Sequence, residues 1–280
     1  MTSEGIRRVS PRTHLNALEA VAEVIDPQRH HNVFPIFKDE NGYFCHPNDK
    51  YVIRSISDNL PDLRGLDTAV RDEIRDRARE SLTEVTHLTE YQDQKAIRNL
   101  TAVAFLTALS GIIFNGYVQT FPLAELFATL PQPELGVVLA GLGYALFGVF
   151  ILCVTGAALL ILTATRTTFR YDASEQYPLE AFDVKPKSML FYQRIIETPP
   201  TSWAKAFDCR TTEQASANEQ KAEIIAKYAE SYIIETYLIS CKIADKVRLL
   251  VPAQRLLSTG LIVFLIWILV FYGAVMARHL

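Results

Sequence analysis

The chain has 280 residues, 49% hydrophobic and 21% charged, with 28 Lys and Arg against 31 Asp and Glu. The charges are unevenly spread: residues 99–124, 135–165 and 256–277 carry none. A net charge of −3 exerts no general pull on nucleic acid, and four scattered cysteines exclude a disulfide framework or a paired C-x-x-C metal site.

The opening stretch, MTSEGIRRVSPRTHLNALEAVAEV, has no apolar h-region, so no cleavable signal peptide is expected. Leu15, Leu18, Val21, Ala22 and Ile25 predict an amphipathic helix ending before Pro27. VFPIF (33–37) and GYFC (42–45) predict a β-hairpin with Asn41-Gly42 as its turn, and YVIRSI (51–56) a third strand. After Pro61, apolar residues from Leu66 to Leu88 recur at three- and four-residue steps. The opposite face carries Arg71, Arg75, Arg77 and Arg79 interleaved with acids, which reads as a solvated face rather than a phosphate cradle. No breaker separates this helix from the first charge-free window.

Each window meets the roughly 20 apolar residues needed to cross a ~30 Å hydrocarbon core. The second, at 1.5 Å per residue, spans about 45 Å and must tilt or protrude. Residues 171–211 hold four prolines, a short helical stretch (188–196) and SWAKAF (202–207). From Thr211, with a capping-box-like TTEQ start, a long amphipathic helix runs to Leu250. Pro252 predicts a kink or break before the last window. Trp267 lies deep in that window and Tyr272 nearer its far end.

The predicted fold is therefore a mainly α membrane protein with three transmembrane helices. An α+β cytoplasmic domain covers 1–98, two spans with a short periplasmic loop cover 99–165, a cytoplasmic helical segment covers 166–254, and the third span covers 255–280. Basic residues accumulate on cytoplasmic flanks. Lys95 and Arg98 precede the first window, Arg166 and Arg170 follow the second, and Lys242, Lys246, Arg248 and Arg255 precede the third. Every basic residue except Arg278 falls on that side, which puts the N-terminus in the cytoplasm and the C-terminus in the periplasm.

No window holds an ionisable residue that would mark a transport or proton-relay path. Asn115 is the most polar group in or near a window, suited to the outer interface, a contact between helices or a pore lining. Gly141, Gly143, Ala145, Gly148 and Gly156 form a small-residue surface on the second helix, suited to packing within one subunit or to self-association. His30, His31, Cys45 and His46 are weak candidates for a zinc site, since adjacent ligands suit tetrahedral coordination poorly. No nucleophile-elbow, zincin, Walker or Rossmann pattern occurs, so neither catalytic residues nor a cofactor are expected.

The layout, two apolar helices with a short outer loop, a cytoplasmic stretch, and a long amphipathic helix feeding a last apolar one, is similar to that of the transmembrane effectors of bacterial Pycsar and CBASS antiphage systems. KPKSMLFYQRIIETPPTSWAKAF (185–207) and YIIETYLISCKIADKVRLLVPAQRLLSTGLIVFLI (232–266) resemble the corresponding segments, with KVRLLVPAQRLL as the basic-then-apolar lead into the last helix. The resemblance covers about residues 95–277. It implies an inner-membrane effector that oligomerises in the lipid bilayer and impairs it on activation, with residues 1–98 as the regulatory part. Those residues carry no recognisable cyclic-nucleotide signature, so the trigger is either a nucleotide second messenger or a sensor protein. A membrane-anchored adaptor and a non-toxic ion-channel subunit are the alternatives.

Overall fold

A computed structural model describes residues 7–8, 16–25, 34, 36–39, 42–45, 49–128, 135–166, 189–190, 195, 200–207 and 214–279. Helix dominates. Helix α1 spans Ala17–Ile25, α2 Asp49–Asn59, α3 Thr68–Thr120, α4 Leu123–Ala128, α5 Leu135–Thr165, α6 Pro200–Lys205 and α7 Gln214–His279. Three of them, α3, α5 and α7, are long and apolar enough to cross a membrane, and the chain reads as a multi-pass membrane protein.

Contacts divide the chain into two compact units. One comprises residues 1–11, 33–91 and 168–244, the other 12–32, 92–167 and 245–280. The expected N-terminal α+β domain over 1–98 is not supported as a unit, because residues 12–32, α1 included, cluster with the apolar helices instead.

In the first unit, strands β1 (Arg7–Arg8), β2 (Ile36–Asp39) and β3 (Gly42–Cys45) form a small antiparallel sheet of order β1-β3-β2. The pair Asp39↔Gly42 closes the hairpin, so its first strand lies three residues beyond the apolar start of VFPIF. The third strand expected at 51–56 is instead α2, and Arg7–Arg8 takes the third place in the sheet. The physical reason is periodicity: Ile56 follows Val52 and Ile53 at helical four- and three-residue steps, whereas a strand would put Val52 and Ile53 on opposite faces, and Val52 is buried. Asp62 then caps a short 3-10 turn, Leu63–Gly65, by accepting from the Arg64 N–H at 3.1 Å. Leu63, Ala226 and Ala229 form the core, with Leu66 and Ile74 against it.

Helix α3 runs 53 residues without interruption, as the absence of a breaker predicts. Its early polar face is laced by Arg77–Glu73 at 2.8 Å and Arg75–Asp72 at 3.0 Å. Arg71 departs from the solvated reading: it is buried, and its Nη2 donates to the Leu66 carbonyl at 2.7 Å. Within the apolar windows several hydroxyls return their hydrogen bonds to the same helix, as Thr107 does to Val103 and Thr163 to Leu159, which meets those donors without a partner in lipid.

Helix α7 runs 66 residues and passes through Pro252 without a break, so of the kink or break expected there the break is absent. Pro252 lacks the N–H that would reach the carbonyl of Arg248. It is fully buried among neighbouring helices, the setting in which membrane helices tolerate proline.

Candidate functional site

The second unit is a packed bundle with two layers of different chemistry. Its centre is aromatic. Phe114 stacks on Phe147 with ring centroids 3.8 Å apart, and Tyr117 lies 5.0 Å from Tyr144 and 5.6 Å from Trp267. Phe150, Phe264 and Phe271 extend the cluster. Trp267 is fully buried, so it is core rather than an interfacial anchor, and its indole N–H finds no acceptor among the described residues.

Two tyrosines tie α3 to α5 reciprocally. The Tyr117 hydroxyl donates to the Ala140 carbonyl, and the Tyr144 hydroxyl to the Phe121 carbonyl at 2.7 Å. The Arg278 guanidinium donates to the Thr120 carbonyl and lies 5.8 Å over the Phe121 ring. The end of α3 leaves carbonyls without intrahelical partners. Tyr144 and Arg278 take two of the acceptors there, which gives the one basic residue outside the main basic side a structural use.

The small-residue surface of α5 splits in two. Gly143 is buried under Tyr117: a Cβ there would fall 2.8 Å from the phenol Cζ, so only glycine admits that ring. Gly156 is likewise buried, and a Cβ would meet Val21 and Leu256 at 3.3 Å. Ala145 and Gly148 instead face outward, and nothing lies within 4 Å of where a Gly148 Cβ would stand. Gly141 is half-buried beside Leu126. Asn115 is exposed on α3, outside the aromatic centre.

At the basic end the bundle carries a collar of paired charge. Arg248 donates to Glu23 at 2.5 Å, both side chains almost wholly removed from solvent. Lys246 donates to Asp93 at 2.6 Å, and Asp245 is buried on the same helix. Of the expected basic flank, Lys246 and Arg248 are thus consumed in ion pairs within the chain. Arg98, Arg166 and Arg255 are exposed, Lys95 is half-buried, and Arg170 lies outside the described residues. So do His30, His31 and His46, and of Cys45 only the strand backbone is described.

In the first unit a cavity of about 410 Å³ opens beside Ser57, Asp62, Arg64, Lys227 and Glu230. Ser57 donates to Glu230 at 2.7 Å, and Lys227 faces Glu223 at 3.3 Å. Further along α7, burial pushes the Glu235 carboxyl up from 4.5 to about 7, against the opposing pull of the Lys242 ammonium.

Sequence reasoning did not single out Tyr117, Tyr144, Glu23 or Asp93. The tyrosines look like any aromatic residue in an apolar window, and each carboxylate is far along the chain from its cation. No protein-family model, curated protein or solved structure matches this chain.

Proposed function

We propose that the chain is a membrane-embedded effector of a bacterial antiphage system, which assembles into oligomers and impairs the inner membrane on activation. The observation that carries the reading is where the apolar surface lies. Only 6% of the apolar window of α3 is buried within the chain, against 33% for α5 and 22% for α7. Phe105 and Ile112 on α3, and Leu152 beside the Ala145/Gly148 stripe on α5, point outward. The aromatic centre is filled by rings and, among the described residues, holds no charged side chain, so it offers ions no path through one protomer. A lesion would have to form between protomers, across those outward faces.

The resemblance of 185–207 and 232–266 to antiphage effectors supplies the biological setting, and the uninterrupted α7 suits a helix that carries a cytoplasmic signal into a span. In this reading the basic end is cytoplasmic, with the N-terminus inside and the C-terminus in the periplasm. Residues 1–98 receive a nucleotide or protein trigger, and an N-terminal α+β portion forms part of that receiver.

A potential-sensitive dye in cells expressing the chain tests this. Depolarisation should follow the trigger, and Gly148→Leu, which has open space in the protomer, should leave the fold intact while reducing both oligomer size and depolarisation. Intact potential under every infection tested overturns the reading. Selective, non-toxic single-channel currents would favour a housekeeping channel subunit instead.

A further inference from the structure

Helix α1 is apolar on both sides. The sequence Ala17–Ile25 contains only two polar side chains, and neither belongs to the outward Leu18, Ala22 and Ile25 stripe. Glu19 exchanges capping hydrogen bonds with Asn16, at 2.8 and 3.2 Å, and Glu23 is buried against Arg248. The inner face, Ala20, Val21 and Val24, packs in a cluster with Ala96, Leu160 and Leu250. The outer face is Leu18, Ala22 and Ile25, spaced i, i+4 and i+7, with Leu18 81% and Ile25 65% exposed. A surface helix in water turns a polar face outward; one that is apolar all round belongs in protein or in lipid.

What covers the outer face follows from the level at which α1 sits. Its neighbours are the last turns of the second charge-free window (Gly156, Leu160, Ala164) and the residues leading into the first and third (Ala96, Leu250, Ala253). That is the border between apolar and basic chain. On α5, Leu159 and Leu162 are exposed at the same level and continue the lipid-facing surface beside it, while exposed Arg98, Arg166 and Arg255 offer cations to anionic headgroups. Three side chains fall well short of the ~800 Å² per partner of a stable protein interface. They suit a helix lodged about 5–10 Å into the headgroup and acyl boundary.

We propose that α1 is a fourth membrane-contacting element, an interfacial helix whose Leu18/Ala22/Ile25 stripe seats in lipid while the Arg248–Glu23 pair holds its inner face to the bundle. The proposal needs only that the three apolar helices lie in a bilayer, not that the chain is a defence effector.

The test uses the full chain with its native cysteines replaced, reconstituted in vesicles of phosphatidylcholine and phosphatidylglycerol. An environment-sensitive fluorophore is placed on Leu18→Cys, or on Ile25→Cys as an independent arm. Because both side chains point away from the bundle, labelling leaves the packing intact, which elution as a single species verifies. A label on Leu265→Cys, exposed in mid-window on α7, reports insertion separately, through quenching by deeply brominated lipid. Shallow-brominated lipid should abolish much of the emission at positions 18 and 25, and aqueous iodide should have little effect. Quenching by iodide alone would put the stripe in water, and quenching by neither agent would put it under protein; either result overturns the proposal.

Discussion

The aromatic centre and the charged collar belong to one bundle and are held by opposite means. In the centre, polar atoms are few, the two tyrosine hydroxyls are met by backbone carbonyls, and the fit depends on shape: Tyr117 occupies the space left by the missing side chain of Gly143. In the collar, shape matters less than pairing. Glu23 and Arg248 are both removed from solvent, and neither is tolerable alone. One bundle can therefore combine a centre whose fit depends on volume with a collar that depends on keeping both partners of a pair.

The collar is where that contrast should show most strongly. Arg248→Met removes the guanidinium and leaves Glu23 buried without its cation, with an expected cost of about 3–5 kcal/mol. The double variant Arg248→Met, Glu23→Leu removes both charges and should recover most of the loss, since replacing a buried pair by apolar groups is often neutral. Thermal unfolding of the detergent-solubilised chain measures the cycle. Equal melting temperatures for the single and double variants would mean that the pair is not what holds α1, and the contrast would fail.

The same contrast explains which features could be read from the sequence. The three apolar helices were legible because lipid forbids unpaired charge, and a charge-free run is visible residue by residue. The fusion of the helix starting at Thr68 with the first span was legible because nothing in 68–120 breaks a helix. Local capping, such as Asn16 with Glu19, is likewise written within four residues. The collar was not legible: Lys246 and Arg248 look like an ordinary basic flank until the fold brings Asp93 and Glu23 against them, and such pairings leave no periodic trace. The YVIRSI segment misled because β-branched residues favour strands only where a pleated surface exists to receive them, and here α2 buries its Val52 from a helix instead. The break that Pro252 allowed is absent because, at a buried position among helices, neighbouring groups compensate the missing hydrogen bond. The two roles mixed in the small-residue surface of α5 separated only once Tyr117 was in place.

In the aromatic centre the order of sensitivities should invert. Gly143→Ala inserts a Cβ into the Tyr117 ring, an overpacking worth about 1–3 kcal/mol, whereas Tyr117→Phe removes only an interhelical hydrogen bond, averaging about 0.6 kcal/mol in membrane bundles. Gly148→Ala on the open face of the same helix should instead be neutral or stabilising, because alanine exceeds glycine in helix preference by about 0.5–1 kcal/mol. Melting temperatures of the three variants in one detergent check the ranking. A Tyr117→Phe loss exceeding that of Gly143→Ala would mean that the centre, like the collar, is held mainly by its polar contacts.

Glu235 supplies the mildest test, because it lies between the two cases: its burial outweighs the pull of Lys242. Between the ordinary glutamate value of 4.5 and about 7, the folded chain holds a proton on Glu235 that the unfolded chain has released. Raising the pH through that window must lower stability, and the contribution is fully present only below the unfolded value. The melting temperature of the native chain should therefore decline from pH 5 to pH 8 more than that of Glu235→Gln, whose neutral amide has nothing to release. Identical profiles would show that Lys242 compensates the carboxylate as fully as Arg248 compensates Glu23, and that pairing, not burial, governs acidic groups throughout this chain.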